Sequence, residues 1–74
     1  MDKPDNNTLE IWVKENVPVC FEYINGETEN GYVQGYFDSG IHTTPKVVKH
    51  RRYGKRKFVY FNELKSINEV YISA

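Results

Sequence analysis

The sequence predicts a mainly β domain with one short N-terminal α-helix, its five short strands strongly bent into a small antiparallel barrel. Three observations carry that expectation. Apolar spacing is helical only over Leu9, Trp12 and Val13, and it changes to a period of two from Val17 onward. Turn residues at Asn25-Gly26, Asp38-Ser39-Gly40 and Tyr53-Gly54 then cut the remainder into strand-sized pieces. Seventy-four residues are also too few for a two-layer sandwich, so a sheet of this many strands has to curl on itself.

Residues 1–6 are a polar lead with no evident means of packing, expected to be disordered, and the single domain runs over 7–74. The helix starts at a capping box, Asn7 with Glu10 three residues on. Pro18 ends it, because a proline disfavours helical geometry at Val17 and has no N–H to donate. Val17, Val19, Phe21 and Tyr23 then alternate with Pro18, Cys20, Glu22 and Ile24 as a strand, and Asn25-Gly26 reverses the chain. In the next strand, 31–37, Val33 and Phe37 are expected inward beside Gly31 and Gly35, with Tyr32, Gln34 and Tyr36 outward. Ile41 to Pro45 reads as a connector or irregular edge strand. Lys46 to Arg52 and Lys55 to Phe61 are expected to pair as a long hairpin across Tyr53-Gly54. A helical or 3₁₀ turn over 62–65 and a last strand over 66–73 complete the domain, a helix from Asn62 through Leu64, Ile67 and Tyr71 being the open alternative.

Charge is segregated along the chain. The twelve residues from Lys46 to Lys57 include Lys46, Lys49, Arg51, Arg52, Lys55, Arg56 and Lys57 and no acid, although the formal net charge of the whole chain is zero. Lys3 and Lys14 before this stretch face eight acids, from Asp2 to Asp38. Such asymmetry points to a polyanionic or acidic partner. Across a turn at Tyr53-Gly54, Arg52 would face Lys55, Arg51 would face Arg56 and His50 would face Lys57, an arrangement that folding alone disfavours. A basic ribbon of this kind neutralises phosphates while Tyr53 stacks on a base. Tyr32 and Tyr36, expected on one outward face, would add a stacking platform or an interface stripe. The expected nucleic-acid-binding residues are therefore Lys46, Lys49, His50, Arg51, Arg52, Tyr53, Lys55, Arg56, Lys57, Tyr32 and Tyr36, with RNA or single-stranded DNA as partner. Docking of the basic hairpin on an acidic protein surface is the alternative. The plainest reading of the same stretch is a solvated loop that balances the acids of its own domain.

Other chemistry has little to stand on. Cys20 is alone, so neither an intrachain disulfide nor a cysteine zinc cluster is available, and a reducing compartment fits. No apolar run reaches the ~18 residues of a membrane span, and the polar start is unlike a secretory signal, so the expected location is cytoplasmic, with no membrane contact. Glu27, Glu29 and Asp38 match no cation-binding loop, and no metal or cofactor is expected. His42 with Asp38 would serve as a base and its orienter only if a pocket joined them, and polar loop residues are the simpler reading; no enzymatic activity is expected. A chain this short buries roughly 60% of its unfolded surface, which favours association into a homo-oligomer.

The order of features resembles the Sm-like family of small β-barrels. Asn25-Gly26 after the first strand, Gly31 and Phe37-Asp38 in the second, and Val59-Tyr60 followed by Leu64-Lys65-Ser66 carry the likeness, which spans about 9–70. It implies a helix-capped, strongly bent five-stranded barrel and ring assembly through edge strands. Phe61 and Asn62 stand where the family's Lys-His pair contacts uridine-rich RNA, and Glu22 stands where an aromatic helps hold adenine-rich RNA. Neither RNA-binding face therefore carries over. Src-homology-3-like barrels and Tyr-rich Sm-related accessory domains of bacterial regulators share the pattern equally well.

Overall fold

The computed structural model describes residues 1–49 and 51–70. Helix α1 (Asn6–Lys14) is followed by strands β1 (Pro18–Tyr23), β2 (Thr28–Tyr36), β3 (Gly40–Thr44), β4 (Lys46–Val48), β5 (Arg51–Tyr53) and β6 (Lys57–Tyr60). A 3₁₀ turn (Phe61–Glu63) leads into β7 (Leu64–Glu69). Five strands form one antiparallel sheet in the order β6-β3-β2-β1-β7, and β4 pairs with β5 as a separate ribbon. The expected mainly β fold with one short helix and a five-stranded antiparallel sheet is thus present. In this sheet β6 and β7 are the two edges, so the hydrogen bonding does not close into a barrel. No helix among the described residues is long and apolar enough to cross a membrane.

Helix α1 starts two residues earlier than the Asn7 box implies, because Asp5 is the cap, its Oδ1 accepting from the Thr8 N–H at 3.0 Å. The lead before it is not without contacts, since Lys3 pairs with Asp38 at 3.2 Å. The far end is closed by Asn16, at φ 49°, with the Val17 N–H donating back to the Trp12 carbonyl at 3.2 Å. That is a Schellman-type stop, so Asn16 ends the helix before Pro18 opens β1.

Leu9 and Trp12 from α1 meet Val19, Phe21, Val33, Ile41, Val59, Phe61, Leu64 and Ile67 in one core. Trp12 also donates its indole N–H to the Glu69 carboxylate at 2.7 Å, fastening α1 to β7. The Asn25-Gly26 turn forms as expected: Gly26 takes φ 92°, and Asn25 Oδ1 accepts from the Glu27 N–H at 2.9 Å. The final segment is a 3₁₀ turn and then a strand as far as Glu69, which excludes a helix over 62–69; residues 71–74, where the expected strand ended, lie outside the described residues.

Three expectations are corrected. Residues 40–44 are an interior strand between β2 and β6, not an irregular edge. In β2 the pairing steps from Val33↔Thr43 to Gly35↔His42, leaving Gln34 unopposed as a bulge. One extra residue reverses the alternation, so Tyr36 packs against the core and Phe37 is 52% exposed. The basic hairpin reverses between Val48 and Arg51, not at Tyr53-Gly54, with Lys46↔Tyr53, Val47↔Arg52 and Val48↔Arg51 as partners.

Candidate functional site

The register of the β4–β5 ribbon changes the electrostatic argument. Each basic residue of β5 stands opposite a valine and Tyr53 stands opposite Lys46, so no two cations oppose each other in the ribbon. The repulsion expected from a Tyr53-Gly54 turn is absent. Lys49 supplies the reversal with φ 51°, and His50 lies outside the described residues. Tyr53 consequently sits at the base of the ribbon, 48% exposed, and not at its tip. Gly54, at φ 95°, then lets the chain press against the Pro45 ring, where any β-carbon would collide.

The basic residues divide into tied and free. Arg52 donates from its guanidinium Nη2 to the Val13 carbonyl in the last turn of α1 at 3.1 Å, a favourable place for a cation. Lys57 is tied from β6. Its Nζ donates to the Tyr23 hydroxyl at 3.1 Å and lies 3.4 Å from a Glu29 oxygen, and it stands 5.2 Å from the centre of the Tyr23 ring. Tyr23 in turn donates to Glu29 at 3.1 Å. Among the described residues, Lys46, Lys49, Arg51, Lys55 and Arg56 are exposed and form no ion pair or side-chain hydrogen bond. Among the described residues, Lys57 is the one member of the stretch paired with an acid of its own domain.

At the root of the ribbon the inner side of the sheet opens into a pocket of about 200 Å³. Its floor is Phe21, fully buried, and its walls include Gly31, Thr43 and Thr44. Glu29, Lys55 and Lys57 stand at the rim. Gly31 leaves little room for a side chain, since a β-carbon there would stand 3.0 Å from the Thr44 carbonyl oxygen. Thr43 donates its hydroxyl to the Lys57 carbonyl at 3.4 Å, whereas the Thr44 hydroxyl is buried without a hydrogen-bond partner.

Tyr32 and Tyr36 do not form a platform. Tyr36 packs on the core, whereas Tyr32 is half-buried between β1 and β3, opposite Pro18 and Thr44. An aromatic surface exists elsewhere, and the sequence reading missed it. His42 lies 5.4 Å from Phe37 and 5.0 Å from Phe58, and Phe58 lies 4.8 Å from Tyr60, all ring to ring and edge to face. Phe37 and Tyr60 are about half exposed, at 52% and 48%. Gly40 makes this possible, because a β-carbon there would strike the Phe58 ring and the Val59 carbonyl. Phe58 and Tyr60 share a face at strand spacing, a signal visible in the sequence, but the Gln34 bulge that exposes Phe37 is not. His42 is thus set among rings, and its imagined partner Asp38 is paired with Lys3. Glu22 accepts from the Ser66 hydroxyl at 3.2 Å, with Lys65 at 4.0 Å.

Compared with known proteins, the chain matches no family model and no curated protein.

Proposed function

We propose that the chain is a small nucleic-acid-binding barrel of the Sm-like kind, which holds RNA or single-stranded DNA through the basic ribbon and the basic segment after it. The observation that carries this reading is a set of five cations, Lys46, Lys49, Arg51, Lys55 and Arg56, without an ion-pair partner among the described residues and gathered within one short stretch of a domain whose other charges are largely acidic. Phosphates are the counterions that such a row best accommodates. The barrel reading is supported by the return of β7 to pair with β1 and by register shifts in both β1·β7 and β2·β3, which bend a sheet strongly.

Fluorescence polarisation of a labelled single-stranded oligonucleotide over a salt series tests the reading. Binding is expected at low salt, and Lys49, Arg51 and Arg56 changed together to Ala should weaken it and flatten the log–log salt slope by about 2. Absence of binding at low salt, or an unchanged slope in the triple variant, would overturn it.

A second reading, docking on a protein surface, is favoured by the half-exposed rings of Phe37 and Tyr60. A protein partner that survives nuclease treatment and is lost in Phe37→Ser with Tyr60→Ser would carry that reading instead.

A further inference from the structure

The aromatic row on β3 and β6 has chemistry that phosphate binding does not use. On the face that carries it, β3 and β6 oppose Gly40 to Tyr60 and His42 to Phe58, whereas Ile41 and Val59 enter the core from the other face. Phe37, the residue after β2, joins the row 5.4 Å from His42 and 6.0 Å from Phe58. The contacts Phe37–His42, His42–Phe58 and Phe58–Tyr60 are edge to face, with interplanar angles between 73° and 78°, so no two of these neighbours close each other in a parallel stack. Phe37 and Tyr60 remain half exposed, and the acid beside Phe37, Asp38, is paired with Lys3.

The charges beside the row decide what covers it. Lys55 and Arg56 lead into β6, are exposed, and have no ion-pair partner among the described residues. Two residues of chain span at most about 7 Å, so Arg56 and Phe58 stand within the reach of one nucleotide. An unpaired nucleic-acid strand, anionic and carrying flat rings along its length, fits both features at once. We infer that Phe37, Phe58 and Tyr60 are a stacking platform for unpaired bases, with Lys55 and Arg56 on the phosphates of the same strand and His42 positioning the rings on either side of it. The inference rests on the nucleic-acid reading above and sharpens it: bases paired in a duplex do not offer their faces, so the partner is single-stranded.

Phe37→Leu and Tyr60→Leu separate stacking from apolar docking, because leucine keeps an apolar side chain and removes the ring. Each is expected to hold its Tm within about 4 °C of the wild type. In polarisation each should weaken a labelled single-stranded oligonucleotide about five- to tenfold with the salt slope unaltered. A strand of the same length with abasic sites in place of its bases keeps every phosphate and should bind the wild type at least about tenfold more weakly. A duplex of the same sequence, which phosphate contacts alone would hold at least as tightly, should also bind at least about tenfold more weakly than the single strand. Tyr60→Trp supplies a direct reporter, its emission quenched by the oligonucleotide and not by the abasic strand.

Folded leucine variants that bind as the wild type does, or abasic and normal strands that bind alike, would overturn the inference, and the second result does not depend on any variant folding. It would fail alone if the salt-dependent binding of the ribbon persisted in that result. A nuclease-resistant protein held on the rings while the two strands bind alike would carry the protein-docking reading in its place. Binding that ignores salt but is lost on the abasic strand would instead count against the ribbon reading while supporting the platform.

Discussion

At the scale of single residues, the Tyr23–Glu29–Lys57 cluster has the clearest consequence for stability. Burial pushes the Tyr23 hydroxyl above its ordinary value, and the Glu29 charge adds to this while Lys57 opposes it. The Lys57 ammonium is likewise held above its ordinary value, chiefly by its hydrogen bond to the Tyr23 hydroxyl, with a smaller contribution from Glu29 and burial opposing. Both groups bind their proton more tightly in the folded chain than in the unfolded one. Their contribution is therefore complete below about pH 10 and is lost as pH rises through the folded values. Tm measured from about pH 9 to about pH 11 should fall more steeply in the wild type than in Tyr23→Phe, and parallel curves would refute the assignment. The sequence names Lys57 and Arg52 as basic residues but says nothing of their being tied, because their partners Glu29 and Val13 lie 28 and 39 positions away.

At the scale of elements, what the sequence reveals depends on whether the signal is local. Helix α1, β1 and the Asn25-Gly26 turn follow from periodicity and turn chemistry confined to a few neighbours. Gln34 is different: nothing in its own surroundings marks it as an extra residue, and only its pairing with β3 moves Tyr36 inward and Phe37 outward. Tyr53-Gly54 shows the converse error. Gly54 does adopt positive φ, but it uses that freedom to pass over Pro45, while Lys49 makes the reversal without a glycine to announce it. Gly54→Ala should accordingly destabilise the domain by about 1–3 kcal/mol, since both its φ and the Pro45 contact oppose a side chain. Gly35→Ala makes the control. A β-carbon at Gly35 meets nothing within 4 Å, so urea titration should find it within about 1 kcal/mol of the wild type.

For the whole molecule, one core joins the helix to the sheet. Helix α1 reaches it through Leu9 and Trp12, and Leu9 is fully buried. Leu9→Ala is expected to cost about 2–5 kcal/mol, a large part of the roughly 4–11 kcal/mol available to a chain of this length. Chemical denaturation should show a correspondingly lower midpoint, and a shift below about 1 kcal/mol would mean that the helix contributes little. Phe21 is a poor choice for such a test because it is also the pocket floor, so its loss would change the pocket together with the core. The basic composition of residues 46–57 was legible in the sequence, whereas its register and the pocket were not, since Phe21, Gly31 and Lys55 come from separate strands and a loop that only the fold brings together.

The Arg52 bond to the end of α1 and the seating of Gly54 against Pro45 both hold the ribbon near its base. A row of cations fixed in this way at its base is ordered when the chain folds, so a ligand does not have to immobilise the backbone that carries them. Less entropy is then lost on each encounter. The same bracing couples the ribbon to the helix: drawing Arg52 away from Val13 would remove that bond from a carbonyl in the last turn of α1, so of these cations Arg52 is the one the fold itself uses.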